Sequence, residues 1–294
     1  MAAEARPLVF LGTPPAAAVV LEQLVNSGFN VVHVVTRHDA KRGRGSSMTP
    51  SPVKEVALRL GLTVSHDLEW IKANASRNML GIVVAYGRII PLSVLIDTPM
   101  INIHFSLLPR WRGAAPVERA ILAGDTTTGV CIMDIEETLD TGAVYAQQEV
   151  AIAESSTVQS LTNELATVGA QLLVSTLTEG LGTPVPQGDG ATYAKKITTE
   201  EARIDWSATA VDIHRHVRAL RAFTVLGGAR IKILEVAMPD GASTLKPGEL
   251  ESDCYVGTGS GDILLVRVQP EGKGPMAAAD WMRGRSADSP TQFL

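Results

Sequence analysis

The first hundred residues alternate short apolar runs with segments of helical period. Residues 8–11 are continuously apolar, and after Gly12-Thr13-Pro14 the apolar residues Ala17, Leu21 and Leu24 recur at helical spacing until Gly28. That order predicts a strand, a turn and a helix, with Thr13 as N-cap, Pro14 as first helical residue and Gly28 as the stop. The next apolar run, residues 31–35, completes a strand-helix-strand sequence of about 30 residues, the signature of a parallel βαβ unit. The pattern repeats with helices over 52–60 and 68–76 and strands at 62–64, 80–85 and 100–104. Strands apolar on both sides belong to a sheet covered by helices on both faces. The predicted class is α/β, a doubly wound, Rossmann-like sheet.

After a helix near 115–123 the style changes. Residues 130–134 and 144–151 read as a strand pair separated by a loop, and 157–178 as a long helix with Leu161, Leu165, Val168, Leu172 and Val174 on its apolar side. Residues 179–189, rich in Gly, Pro and Thr and without apolar period, read as a connection over the surface. Beyond it Ser207 caps a helix ending near Leu220, and β-like runs at 229–236, 248–250, 254–257 and 263–268 predict a small β-barrel.

Composition narrows the class. With 45% hydrophobic and 19% charged residues, the 294-residue chain is neither disordered nor collagenous nor coiled coil. No apolar run approaches the ~18 residues of a membrane span, and Glu4 and Thr13-Pro14-Pro15 spoil a signal peptide. A soluble, cytoplasmic protein is expected. Cys131 and Cys254 stand alone in sequence, as buried thiols rather than metal ligands. The net charge of −5 belongs wholly to residues 1–190, with 13 basic and 18 acidic side chains, since residues 191–294 carry 13 of each. Any nucleic-acid contact must therefore use local patches: Arg37, Lys41, Arg42 and Arg44; Arg110, Arg112 and Arg119; or the acid-free run holding Arg215, Arg218, Arg221, Arg230 and Lys232.

Ligands of open α/β sheets sit outside the carboxyl ends of strands. The strand over 100–104 ends in Asn102-Ile103-His104, which presents an amide and an imidazole on one side. A hydrogen-bonded histidine closing a strand would look the same. Asp140, in Leu139-Asp140-Thr141-Gly142, could reach the same crevice, although Asp-Thr-Gly is also a common turn. No Gly-x-Ser-x-Gly elbow, dinucleotide fingerprint or phosphate loop occurs. The remaining reading is a non-covalent transfer assisted by Asn, His and Asp, suited to an amine attacking an acyl carbon.

The fifteen residues from Asn102-Ile103-His104-Phe105-Ser106-Leu107-Leu108-Pro109 to Arg110-Trp111-Arg112-Gly113-Ala114-Ala115-Pro116, with Leu139 to Gly142 downstream, resemble the methionyl-tRNA formyltransferase family. Gly12-Thr13-Pro14, Val84-Ala85-Tyr86-Gly87, Ala191-Thr192-Tyr193-Ala194-Lys195-Lys196 and Glu201-Ala202-Arg203-Ile204-Asp205-Trp206 extend the likeness along the chain. The resemblance implies a formyl-folate-binding catalytic domain at 1–185, a linker at 186–206 and a tRNA-binding barrel of OB type at 207–294. It implies Asn102, His104 and Asp140 as the catalytic trio, with Ser106, Leu107, Leu108, Pro109, Arg88, Ile89 and Ile90 against the folate. It implies Lys41, Arg42 and Arg44 against the tRNA. The co-substrate would be 10-formyltetrahydrofolate, with no metal, and the acceptor the α-amine of initiator methionyl-tRNA. A cytoplasmic monomer without a membrane partner is expected. Formyl transfer to a purine ribonucleotide or nucleotide-sugar amine is the alternative activity, and a tRNA-binding protein with an inactive sheet the alternative class. Residues 218–228 lack the Pro-rich, aromatic stretch usual in the family before its first barrel strand.

Overall fold

The computed structural model of the protein describes residues 6–41, 48–239, 245–286 and 288–294. The chain forms two compact units, one of residues 1–116, 127–151 and 159–194, the other of residues 117–126, 152–158 and 195–294.

The first unit begins with β1 (Leu8–Gly12), α1 (Pro15–Asn26) and β2 (Val31–Val35), followed by the short ladder of β3 (Ala40–Lys41) with β4 (Met48–Thr49). Next come α2 (Pro52–Arg59), β5 (Val64–Ser65), α3 (Glu69–Ala73), β6 (Leu80–Val84), α4 (Leu92–Leu95), β7 (Met100–His104) and β8 (Arg112–Gly113). Helix α5 (Pro116–Ala123) is counted with the second unit, and β9 (Thr127–Asp134), β10 (Val144–Ala151), α6 (Val158–Glu179) and β11 (Tyr193–Ala194) with the first. Seven strands form one sheet in the order β10-β9-β7-β6-β1-β2-β5. β7, β6, β1, β2 and β5 are mutually parallel, whereas β9 and β10 are the antiparallel pair expected from their loop.

The chain winds outward from β1 to β5 and then returns to the other side of β1 at β6. Strand order therefore reverses between Gly12 and Val84, which pair across the ladder, and the crevice of such a sheet opens outside those two ends. Gly12 is required there, because a Cβ would stand 2.8 Å from the Cβ of Ala17 and 2.9 Å from the Val84 carbonyl oxygen.

Two helix boundaries differ from expectation. Helix α1 starts one residue late, with Pro14 as an extended N-cap and Pro15 at the first helical position, because a proline disfavours helical backbone in the residue before it. The Thr13 hydroxyl consequently caps nothing and is buried without a hydrogen-bond partner among the described residues. Helix α3 stops at Ala73, where both the backbone N–H (3.1 Å) and the side-chain amide (2.8 Å) of Asn74 donate to the Trp70 carbonyl and close the last turn.

The second unit continues with α7 (Ala210–Ala219), β12 (Phe223–Leu226), β13 (Ala229–Ala237), β14 (Tyr255–Gly257), β15 (Asp262–Pro270), β16 (Met276–Ala277) and α8 (Ala278–Arg283). Thr209, not Ser207, caps α7: its hydroxyl accepts from the Asp212 N–H at 3.1 Å, while the Ser207 hydroxyl donates to Asp205 at 2.6 Å. The stretch lacking the aromatic pattern contains a strand after all. β12 turns into β13 through Gly227 (φ 56°) and Gly228 (φ 82°), a two-residue hairpin whose both positions need positive φ. The antiparallel sheet runs β12-β13-β15-β14 and closes into a barrel through single bridges, Leu250 with Val256, Glu249 with Gln292, and Phe293 with Leu226. Trp206, Ile213, Ile233, Val256, Val268, Trp281 and Phe293 are among the side chains that fill it.

Candidate active site

The site lies on one side of β7. Asn102 and His104 are two residues apart and share a face, and β7 is held between β6, through Val83 with Asn102, and β9, through His104 with Cys131. Asn102 is half-buried, and its amide makes no hydrogen bond to a described residue, so its N–H groups are available to a ligand. His104 is buried. Its Nε2–H donates to the Trp111 carbonyl at 2.9 Å, and its Nδ1 stands 3.7 Å from Oδ2 of Asp140. A carbonyl can only accept, so Nε2 carries a hydrogen and the neutral ring keeps its lone pair on Nδ1, beside the carboxylate.

Asp140 is fixed from several directions. Its Oδ2 accepts the Gly113 N–H at 2.7 Å. Gly113 has φ 126° and lies so close to Ala194 that a Cβ would meet its carbonyl oxygen at 2.6 Å, so glycine alone can deliver that amide. Gly142 is equally constrained, since a Cβ there would reach the Asp134 carbonyl oxygen at 2.0 Å. Asp140 (φ 53°) and Trp111 (φ 64°) both occupy the left-handed region, which costs a residue with a Cβ on the order of 1–3 kcal/mol and persists only where the surroundings enforce it.

The enforcing groups come from residues 185–192, which begin inside the 179–189 stretch that reads in sequence as a connection over the surface. Val185 pairs with Val144 at the start of β10 through two 2.8 Å bonds. The Gln187 amide donates to the carbonyls of Asp140 (2.9 Å) and Gly142 (2.8 Å) and accepts from Nε of Arg112 at 2.9 Å. The Thr192 hydroxyl accepts the Trp111 N–H at 2.9 Å. Sequence reasoning missed Gln187 and Thr192, and a lone Gln in a Pro- and Gly-rich segment offers no signal.

The other singled-out residues divide. Ser106 is buried and its hydroxyl donates to the Arg110 carbonyl at 2.6 Å. Leu108 is buried with Cys131, Met133 and Val144, its N–H meeting the Cys131 sulfur at 3.4 Å, and is joined to Pro109 by a cis bond. Leu107 and Pro109 are half-buried. Beyond β6, next to β7 in the sheet, Ile89 is 91% exposed and Arg88 is exposed with Nη1 on the His66 carbonyl at 3.0 Å, whereas Ile90 turns inward to the core. Lys41 is exposed on β3, while Arg42 and Arg44 lie outside the described residues. Burial pushes the Cys131 thiol up to about 11, as a structural cysteine requires. Among the described residues no group of three or more His, Cys, Asp or Glu could hold a metal ion, and no helix is long and apolar enough to cross a membrane.

A doubly wound sheet carrying Asn, His and Asp at one strand end, followed by a small barrel, is the architecture of a formyltransferase. The model of the formyl transferase family matches residues 6–177 and that of the formyl transferase C-terminal domain residues 196–286; the chain belongs to this family. It is 43% identical over 293 residues to a methionyl-tRNA formyltransferase of Jannaschia sp. (strain CCS1), covering 94% of this chain and 96% of that one. In fold it is similar to HypX from Aquifex aeolicus in complex with tetrahydrofolic acid, with TM-score 0.67 and 17% identity, covering 95% of this chain and 47% of that one. An N-formyltransferase from Helicobacter canadensis, in complex with folinic acid and dTDP-3-aminofucose, gives TM-score 0.69 at 17% identity, covering 91% of this chain and all of that one.

Proposed function

We propose that the protein transfers the formyl group of 10-formyltetrahydrofolate to the α-amine of initiator methionyl-tRNA. The observation that carries the chemistry is the facing of His104 Nδ1 and Asp140 across 3.7 Å, with the tautomer set by the Trp111 carbonyl. A proton taken from the attacking amine at Nδ1 makes an imidazolium whose charge faces a carboxylate. The Asn102 amide on the same face, without a side-chain partner among the described residues, can donate to the formyl oxygen as negative charge gathers there. The folate co-substrate supplies the acyl carbon: as the new N–C bond forms, the bond from that carbon to the folate N10 breaks, and the proton held on His104 passes to the departing nitrogen. Ile89, projecting beyond β6, and the half-buried Leu107 and Pro109 offer apolar surface to its ring, and the free Asn102 amide fits a donor oxygen. The buried Ser106 hydroxyl and Ile90 would support that surface from behind.

The wider reading is a cytoplasmic monomer with a catalytic domain over 1–185, a linker over 186–206 and a tRNA-binding barrel over 207–294, helped by Lys41, Arg42 and Arg44. What supports an RNA substrate is the 43% identity to a methionyl-tRNA formyltransferase along nearly the whole chain. Formylation of charged initiator tRNA by 10-formyltetrahydrofolate tests the proposal, and the same assay with an amino-sugar nucleotide as acceptor tests the alternative. Turnover with the sugar and none with the tRNA would replace this reading.

A further inference from the structure

We infer that Gln187 is a positioning residue for Asp140, and that the connection carrying it belongs to the reaction machinery. The inference rests on Asn102, His104 and Asp140 being the reacting groups. Every hydrogen-bonding capacity of the Gln187 amide nitrogen is spent on one loop: its two N–H groups hold the carbonyls of Asp140 and Gly142, which flank Thr141. Its oxygen holds Arg112. Arg112 sits between Trp111, whose carbonyl fixes the His104 ring, and Gly113, whose N–H fixes the Asp140 carboxylate. One side chain thus ties the loop bearing the acid to the segment that orients both acid and imidazole.

Backbone geometry explains the need. Asp140 has φ 53°, a conformation that Leu139-Asp140-Thr141-Gly142 does not impose by itself, and its carbonyl is one of the two that Gln187 grips. Gln187 is itself anchored, two residues after the Val185 pairing with Val144 and five before Thr192, which holds Trp111, also left-handed. A glutamine between two fixed points is a rigid spacer. Without its donors the Asp140 loop loses its register against His104.

Two variants separate donation from bulk. Gln187→Glu keeps the shape and the acceptor for Arg112 but offers the loop carbonyls no N–H, and Gln187→Met removes all three bonds at similar size. Each should lower kcat of formyl transfer about 10- to 100-fold, the effect of a misplacement near 1 Å, with KM for the formyl donor within about twofold and the circular dichroism spectrum retained. In an Asp140→Asn background, adding Gln187→Met should cost less than about a further twofold, because residues acting as a unit are not additive. If Asp140→Asn alone keeps its turnover, the catalytic reading of the trio fails. If Asp140→Asn is impaired while both folded Gln187 variants turn over normally, this inference alone fails. Multiplicative losses in the double variant would also overturn it, since Gln187 would then act other than through Asp140.

Discussion

His104 owes its tautomer to a backbone carbonyl and not to the carboxylate beside it. With Nε2–H committed to Trp111, the face toward Asp140 is the one that can take up a proton, and Asn102 two residues earlier supplies the only other polar side chain that β7 turns to that side. His104→Ala and Asn102→Ala should therefore each reduce kcat by a factor on the order of 10² to 10⁴, as expected for a positioned acid-base or oxyanion group, while the donor KM changes little. Near-normal turnover in a folded variant would make that residue structural. The alternation of a strand made this pair legible in sequence, since i and i+2 must share a face whatever the fold. Asp140 was legible from its loop only as one reading beside an ordinary Asp-Thr-Gly turn, and resemblance decided between them, because nothing in a turn sequence says which strand end the turn will fold back over. Gln187 was not legible at all, and Thr192 only as part of a stretch of family likeness with no role attached: their function depends on hydrogen bonds to residues 45 to 81 positions away.

At the scale of elements, the runs apolar on both sides gave four of the five parallel strands, while the edge strand expected at 62–64 forms at Val64–Ser65, and other misplacements fell where local chemistry competes with periodicity. The second of two prolines moved the start of α1, and Thr209 displaced Ser207 as the cap of α7. β12 escaped notice because four residues before a Gly-Gly turn carry little pattern, yet without it the barrel has no first hairpin. Closure of that barrel depends on Phe293, which is buried opposite Leu226, donates its N–H to the Gly248 carbonyl at 2.8 Å and stacks on Trp206 at 5.2 Å, while its neighbour Leu294 exchanges backbone bonds with Val225. Phe293→Ala should cost about 3–5 kcal/mol, seen as a lower urea midpoint of the second unit, and an unchanged midpoint would show that the buried ring carries none of its stability. In the first unit, β2 and β5 meet at His33, whose two ring nitrogens lie 2.9 Å from the hydroxyls of Thr63 and Ser65 and whose ring stacks on Trp70 at 4.2 Å. Burial lowers the His33 pKa below 6.5, against the smaller opposing pull of Asp67. The unfolded chain then binds the proton first as pH falls, so the stability present above pH 6.5 is lost through the acid side of that value. His214 and His216 are lowered by burial too, in the second unit. A His33→Phe variant should consequently keep part of the acid sensitivity and show a shallower fall in urea midpoint between pH 7 and 5 than the parent. An identical slope would mean that His33 titrates alike in both states.

For the molecule as a whole, the uneven distribution of charge is the property that bears on an RNA substrate. The acidic excess sits in residues 1–190, and the second part is balanced, so attraction to a polyanion has to be local. The run of five basic residues from Arg215 to Lys232 looked continuous in sequence, and the fold divides it. Arg215 pairs with Asp212 at 3.5 Å, and Arg218 is partly buried with Nη1 on the Ser156 carbonyl at 2.8 Å. Arg221, Arg230 and Lys232 remain exposed, and Arg230 lies over the Phe223 ring at 3.5 Å on the first hairpin of the barrel, where Lys232 pairs with Phe223 in register. A guanidinium on an aromatic ring beside an ammonium suits binding of a phosphate next to an exposed nucleotide. Removing one cation that neutralises a phosphate should flatten the slope of log K against log salt by roughly 0.7 to 0.9. An Arg230→Ala, Lys232→Ala double variant is thus expected to raise the tRNA KM and flatten that slope by between one and two units, and to leave the folate KM and the urea midpoint near their parental values. Arg215→Ala and Arg218→Ala, whose charges are engaged within the fold, should change the slope far less. If the double variant binds tRNA with the parental slope, the hairpin face neutralises no phosphate, and the basic groups that meet the RNA lie elsewhere on the chain.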